Sequence, residues 1–230
     1  MKISIEPSIF LIDEHIKLGI NHYTKLVVSE SPQMLKGRMQ LFQEHLFFDL
    51  LDKELTDYQG ITEWRALWKK LGADPGRYRP SMESMMRRIR NQNYLQPLNS
   101  AVDLNNFFSL QYEIPVGLYD LSHVDGDVQI VLGSGKTTYT GINGRENTLN
   151  GILSVEDATG PFGSPYVDSI RTIVKETTID GLQIFFLQPS TSQEDAKKLI
   201  DSAGKMFAQV NGGSYTTTLL DKAHPQASFE

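Results

Sequence analysis

The sequence predicts an α+β fold, with antiparallel sheet flanked by helices, and three observations carry that reading. Between Ser31 and Tyr112 apolar residues recur at helical spacing. Beyond Pro115 the chain breaks into short strand-like runs separated by Gly, Pro, Asn and Asp. One long helical segment, 192–210, follows them.

Taken in order, "KISIEPSIF" places Ile3, Ile5 and Ile9 around Pro7 and reads as an edge or broken strand. "IKLGINHYTKLVVS", 16–29, is rich in β-branched and aromatic residues and reads as a second strand, so the two are expected to open one sheet. Pro32 then suits a first helical position with Ser31 as its cap. Leu35, Met39, Phe42, Leu46 and Leu50 give the apolar stripe of a helix reaching about Leu55. "ITEWRALWKKLG" is a helix that stops at Gly72, with Trp64, Leu67, Trp68 and Leu71 on its inner face. Ser81 is the expected N-cap of the next helix, with Glu83 in its first turn, Met82, Met85, Met86 and Ile89 inward, and Arg87, Arg88 and Arg90 toward the C-terminal end of the dipole. Arg77 and Arg79 are expected to pair with Glu83 or nearby acids. A short helix covers 100–112. "DVQIVLG", "TTYTGIN", "GILSVED", "SIRTIVKETT" and "LQIFFLQP" read as strands, and the Asp-Gly pairs at 125–126 and 180–181 read as hairpin signals. After the last helix comes "NGG" and a polar tail. No Pro/Gly/Ser-rich linker divides the 230 residues, so one domain is expected: a strand pair and helix over 1–58, a core over 59–190, and a helix and tail over 191–230.

Composition narrows the chemistry. Apolar residues make up 40% and charged residues 22%, an ordinary globular mix. A net charge of −6 argues against non-specific coating of nucleic acid, DNA included, but leaves room for a local basic site. There is no cysteine, which removes disulfides, thiolate catalysis and cysteine-bound metal. No stretch has the length and apolarity of a membrane span, so a cytoplasmic location without a membrane partner is expected.

Familiar catalytic motifs are missing. "GSGKTTYTG", 133–141, holds Gly-x-Gly-Lys-Thr, but Ile130 stands where a phosphate-binding loop needs glycine, and a strand rather than a helix follows. The histidines, His15, His22, His45, His123 and His224, show no ligand spacing, so no metal and no cofactor are expected. No Gly-x-Ser-x-Gly elbow occurs. Two polar stretches remain. "GPFGSPYVDSIRT" is a rigid Gly/Pro loop running into Asp168, Ser169, Arg171 and Thr172, the kind of junction where small-molecule sites are built. Asn99, Asp103 and Asn105 sit among apolar residues on a helical segment, where they either knit a structural network or recognise a ligand's amine or carboxylate.

These stretches carry a family resemblance. Trp64-Arg65, Gly72, Pro75, Arg77 to Ser81, Glu83, Asn99, Val102, Asp103, Asn105, Ser109-Leu110, Pro115, Gly117, Tyr119-Asp120 and Asp168 to Thr172 occur in order. Together they resemble the B3/B4 domain of the phenylalanyl-tRNA synthetase beta subunit, and more closely the freestanding proteins built from that domain. In the synthetase this domain hydrolyses tyrosine wrongly attached to the phenylalanine tRNA. Gly117 stands where the synthetase domain commonly has a histidine, and no glutamate follows Gly163-Ser164-Pro165. Tyrosine recognition therefore does not carry over.

The resemblance implies a protein that hydrolyses misacylated tRNA in trans without charging tRNA itself; the alternative is an RNA- or amino-acid-binding module without chemistry. An aminoacyl ester is already activated, so positioned water, an oxyanion donor and a shaped pocket suffice. The expected site has loop 160–172 facing 99–105. In it Asp168 binds the ammonium group or orients water, and Ser169 and Thr172 supply hydrogen bonds. Asn99, Asp103, Asn105 and Gly117 line the substrate, and Arg171 meets the terminal phosphate or pairs with Asp103 or Asp168. Arg87, Arg88 and Arg90 take the acceptor-end phosphates of an aminoacylated tRNA.

Overall fold

A computed structural model describes residues 1–229. In chain order the elements are β1 (Lys2–Ile5), α1 (Pro7–Ile12), β2 (Leu18–Thr24), α2 (Gln33–Asp52), α3 (Gln59–Leu71), α4 (Ser81–Arg90), α5 (Ser100–Tyr112), β3 (Val116–Asp120), β4 (Val128–Leu132), β5 (Thr138–Thr140), β6 (Glu146–Thr148), β7 (Leu153–Asp157), β8 (Gly160–Gly163), β9 (Gly181–Phe186), α6 (Gln193–Asn211), β10 (Ser214–Leu220) and β11 (Gln226–Ser228). Three of the helix ends carry the expected chemistry. α3 stops at Gly72, whose φ of 93° is left-handed; the Asn99 side chain accepts from the Val102 N–H at the start of α5; Ser192 accepts from the Asp195 N–H at the start of α6.

Two larger sheets organise the molecule. One has the order β11-β1-β4-β7-β8, the other β10-β2-β9-β3, and β5 and β6 form a small hairpin. In the second sheet β9 is buried along its whole length. Leu182, Ile184 and Phe186 join the core that also holds Trp64, Trp68, Ile5 and Ile130, while Phe185 faces Phe108, Phe207 and Ile200 under α5 and α6. A strand covered on both sides is apolar on both faces, as β9 is except at Gln183, which is buried and bonded to Tyr23 and Asn105.

Several expectations change. The first two strands do not pair: β1 lies between β4 and β11, and β2 between β9 and β10. Pro7 is the reason, because it starts the short helix α1 and turns the chain away. Pro32 and Pro80 hold the positions before α2 and α4, and neither Ser31 nor Ser81 caps its helix. The Ser31 hydroxyl donates instead to Asp103. "SIRTIVKETT" is no strand; it opens with a single 3-10 turn, Ile170–Thr172, capped by Ser169. Neither Asp-Gly pair makes a hairpin between its neighbours, because β3 and β4, which flank the first, belong to different sheets, and β9, which follows the second, pairs with β2 and β3. The polar tail supplies β10 and β11.

Candidate functional site

The site is built around Tyr119. It sits on β3, two residues past Gly117 on the same face, and is fully buried. A methyl group on Gly117 would come within 2.0 Å of the Tyr119 hydroxyl oxygen, and one on Gly163, at the end of β8, within 2.2 Å. Both positions therefore need glycine for the phenol to lie between the two strands. Phe162 meets the ring edge-on at 5.0 Å. The Tyr119 hydroxyl donates to Asp168 Oδ1 at 2.8 Å.

Asp168 is pinned from all sides. The Ile142 N–H donates to its carbonyl, the Ser164 N–H bonds its carboxylate, and Ser169 donates its N–H to Phe162. Part of the residue reaches the surface, but the carboxyl lies among dense protein atoms. Burial disfavours its charged form and pushes the pKa to about 7, against the hydrogen bonds from Tyr119 and Ser164. Burial likewise raises the Tyr119 and Tyr139 phenols, so both stay protonated donors. Tyr139 reaches across from β5 to the Ser164 hydroxyl at 2.9 Å. Ser164 in turn donates to the Val167 carbonyl and accepts the N–H of Tyr166 and Val167.

The other expected site residues are placed differently. Ser169 caps the 3-10 turn by accepting from the Arg171 N–H, and Thr172 is fully buried with its hydroxyl unpartnered. Arg171 pairs with neither Asp103 nor Asp168. Its fork lies on Asp157 at 2.8 and 2.9 Å and also donates to the carbonyls of His123 and Gly160. Burial pushes the Asp157 carboxyl up, but Arg171 and the N–H groups of Asp125 and Thr159 outweigh it and hold the pKa at about 2. Asn99, Asp103 and Asn105 form the structural network: Asn99 caps α5, Asp103 accepts from Ser31 and the Leu98 N–H, and Asn105 bonds the Val116 carbonyl and Gln183. None of these bonds goes to 160–172.

The arginines exchange roles. Glu83 is fully buried and is held by Arg65 through two bonds, 2.7 and 2.9 Å, and by Arg87 at 2.9 Å. Arg90 pairs with Glu54. Arg77 and Arg79, expected in ion pairs, are exposed and form none among the described residues; Arg77 lies over the Tyr78 ring at 5.1 Å. Their loop is fastened to the loop of Asp168, because the Ser81 N–H donates to the Pro165 carbonyl and Tyr78 meets Tyr166 edge-on at 5.4 Å. Exposed cations therefore stand on a loop fastened to that of Asp168, where the sequence suggested structural pairs. Arg88 is exposed as well.

Tyr119, Tyr139, Ser164 and Arg65 went unread as parts of these clusters. Tyr119 and Arg65 stand inside the motif blocks, but their partners, Asp168 and Glu83, lie 49 and 18 residues away. An open polar cleft of about 580 Å³ lies elsewhere, lined by Asp49, Lys53, Tyr58, Tyr112, Glu113 and Gln188 among others, and holds none of the expected site residues.

The sequence model of the B3/4 domain matches residues 63–202, which include every residue of this site. The chain belongs to the B3/4 domain family. It is 36% identical over 199 residues to a Bacillus subtilis protein named "Uncharacterized protein YhzB", covering 86% of this chain and 89% of that one. It is 26% identical over 132 residues to the phenylalanine–tRNA ligase beta subunit of Mycoplasmoides gallisepticum, covering 56% of this chain but only 15% of the ligase subunit. An N-terminal fragment of the phenylalanyl-tRNA synthetase beta subunit from Pyrococcus horikoshii aligns with a TM-score of 0.40 at 13% identity, over 50% of this chain and 41% of that one. The matched B3/4 segment opens within α3 and closes within α6, leaving α1, α2, β10 and β11 outside it.

Proposed function

We propose that this B3/4 domain protein has a tRNA-related role and hydrolyses the ester of a misacylated tRNA in trans, without aminoacylation activity. The observation that carries the reading is Asp168. Its pKa of about 7 leaves it half ionised at neutral pH, where a carboxylate can take a proton from water and give it up again. Its loop is fastened to the one that carries Arg77 and Arg79, which form no ion pair among the described residues and are suited to the phosphates of an acceptor end. Tyr119, held neutral, keeps the carboxyl oriented. Incubating the protein with a complete panel of misacylated tRNAs and following ester loss tests this. One or more tRNAs should lose their amino acid, and Asp168→Asn should lower that rate at least 100-fold, the size of a general-base contribution. Ester loss at the buffer rate across the whole panel sinks the reading.

A second reading has its own observation. Tyr119 fills the space between Gly117 and Gly163, so no recess for an amino-acid side chain lies there. That favours a binding module that holds tRNA without chemistry. Salt-dependent tRNA binding with no turnover on the same panel selects it.

A further inference from the structure

The outer face of α2 has no partner among the described residues. Met34 is 82% exposed, Leu41 68%, Phe48 64% and Leu51 63%. They follow one another at steps of seven, seven and three residues, the spacing of a helix–helix seam. Gly37 lies in the same stripe, and a side chain there would meet nothing within 4 Å. The opposite face of α2 is already spent, with Leu35, Met39, Leu46 and Leu50 buried in the core. A helix apolar on both faces is a helix covered on both faces. Surface apolar residues scattered singly need no explanation, but four large ones in one line do. α2 lies outside the matched family segment, 63–202, so the site around Asp168 makes no use of it.

We propose that α2 pairs with α2 of a second copy of this chain, antiparallel, about a two-fold axis near residues 42–43. Two features select that occupant and that direction. The first is shape. In the antiparallel register Met34 faces Leu51 of the other copy, and Phe48 lays its ring over the open Gly37, each contact made twice by symmetry. The second is charge. Arg38 stands exposed in the first half of α2 and Asp52 exposed at its end, whereas Lys36 is taken by Glu30 and Asp49 by Lys53 and Tyr58. Antiparallel pairing brings Arg38 of one helix toward the Asp52 end of the other, whereas parallel pairing sets Arg38 against Arg38 and Asp52 against Asp52.

The test is made without tRNA, so it stands apart from the deacylation reading. Sedimentation velocity over a range of protein concentrations should show a dimer that dissociates on dilution. Leu41→Glu with Phe48→Glu should raise the dimer's Kd at least ten-fold while the melting temperature holds, since both side chains already face solvent. The chain has no cysteine, so introduced ones report direction cleanly. Met34→Cys with Leu51→Cys should form disulfides between copies under mild oxidation. Met34→Cys alone should not, because seventeen residues of helix, about 25 Å, separate the two positions. A chain that stays monomeric at all concentrations overturns the proposal, whatever else then covers the face. So does a dimer that survives the double glutamate variant, or cross-linking by Met34→Cys alone. If the glutamate variant fails to fold, the cysteine pair decides.

Discussion

A carboxyl group with a pKa of about 7 weakens the fold that holds it, and Asp168 can be read by that cost. Its ordinary value is 3.8. Between those values the folded state keeps a proton that the unfolded chain has lost, so this group's contribution to stability falls as pH rises from about 4 to 7 and is flat above. Three pH units of displacement correspond to at most about 4 kcal/mol. Asp168→Asn removes the penalty and keeps an acceptor for Tyr119. We expect the variant to melt above the unchanged protein at pH 8, by several degrees given about 2–4 °C per kcal/mol at this size, and the gap to close near pH 4. Ester loss by the unchanged protein should rise as pH passes 7. A melting difference that stays constant from pH 4 to 8 would show that burial does not set this pKa. The same substitution raising stability and abolishing activity is the signature of a site residue held against the interest of the fold. At this scale the sequence was legible in part. Asp168 stands in a recognisable Asp-Ser-x-Arg-Thr block, but nothing local shows that its neighbour Thr172 is sealed inside or that Arg171 spends its fork on Asp157.

Among the elements, α4 shows what periodicity reveals and what it hides. Met82, Met86 and Ile89 at helical spacing identify the buried face, and the structure buries all three. The same spacing places Glu83 on that side too, yet its main partner, Arg65, comes from α3, and no local pattern links them. The five longer helices were therefore readable to within a few residues, α1 was not, and the fate of their charges was hidden. Strands were less readable. β10 and β11 are polar, mostly half-exposed or exposed and at sheet edges, so they lack the apolar alternation that announces a strand. The arrangement of α4 predicts a sharp contrast between neighbours. Arg87→Glu sets a second acid against a fully buried carboxylate and should cost roughly 3–5 kcal/mol, the range for breaking a buried pair, which lowers the melting temperature on the order of 10 °C. Arg88→Glu, exposed, should stay within about 0.5 kcal/mol of the unchanged protein. Thermal melts of the two variants side by side check this; equal losses would mean that Arg65 alone neutralises Glu83.

For the whole molecule, topology does what sequence order does not announce. β1 lies parallel to β4 and antiparallel to β11, and the 163–168 loop gathers two distant parts of the chain, the 141–145 turn at Asp168 and the 77–81 loop at Pro165 and Tyr166. That convergence matters because the net charge of −6 repels a polyanion at a distance. Any tRNA affinity must then come from a few cations close to the site. Arg90 pairs with Glu54, and Arg87 shares Glu83 with Arg65, which leaves Arg88 on α4 and, in the loop fastened to that of Asp168, Arg77 and Arg79. Each phosphate contact contributes about 0.7–0.9 to the slope of log affinity against log salt. Arg77→Glu with Arg79→Glu should therefore flatten that slope by about 1.4–1.8 and weaken binding more than ten-fold at low salt. Arg90→Ala should leave the slope as it is. Fluorescence anisotropy of labelled tRNA between about 50 and 200 mM salt measures both. An unchanged slope in the double variant would remove Arg77 and Arg79 from the RNA path, and a drop with Arg90→Ala would return that path to the C-terminal end of α4.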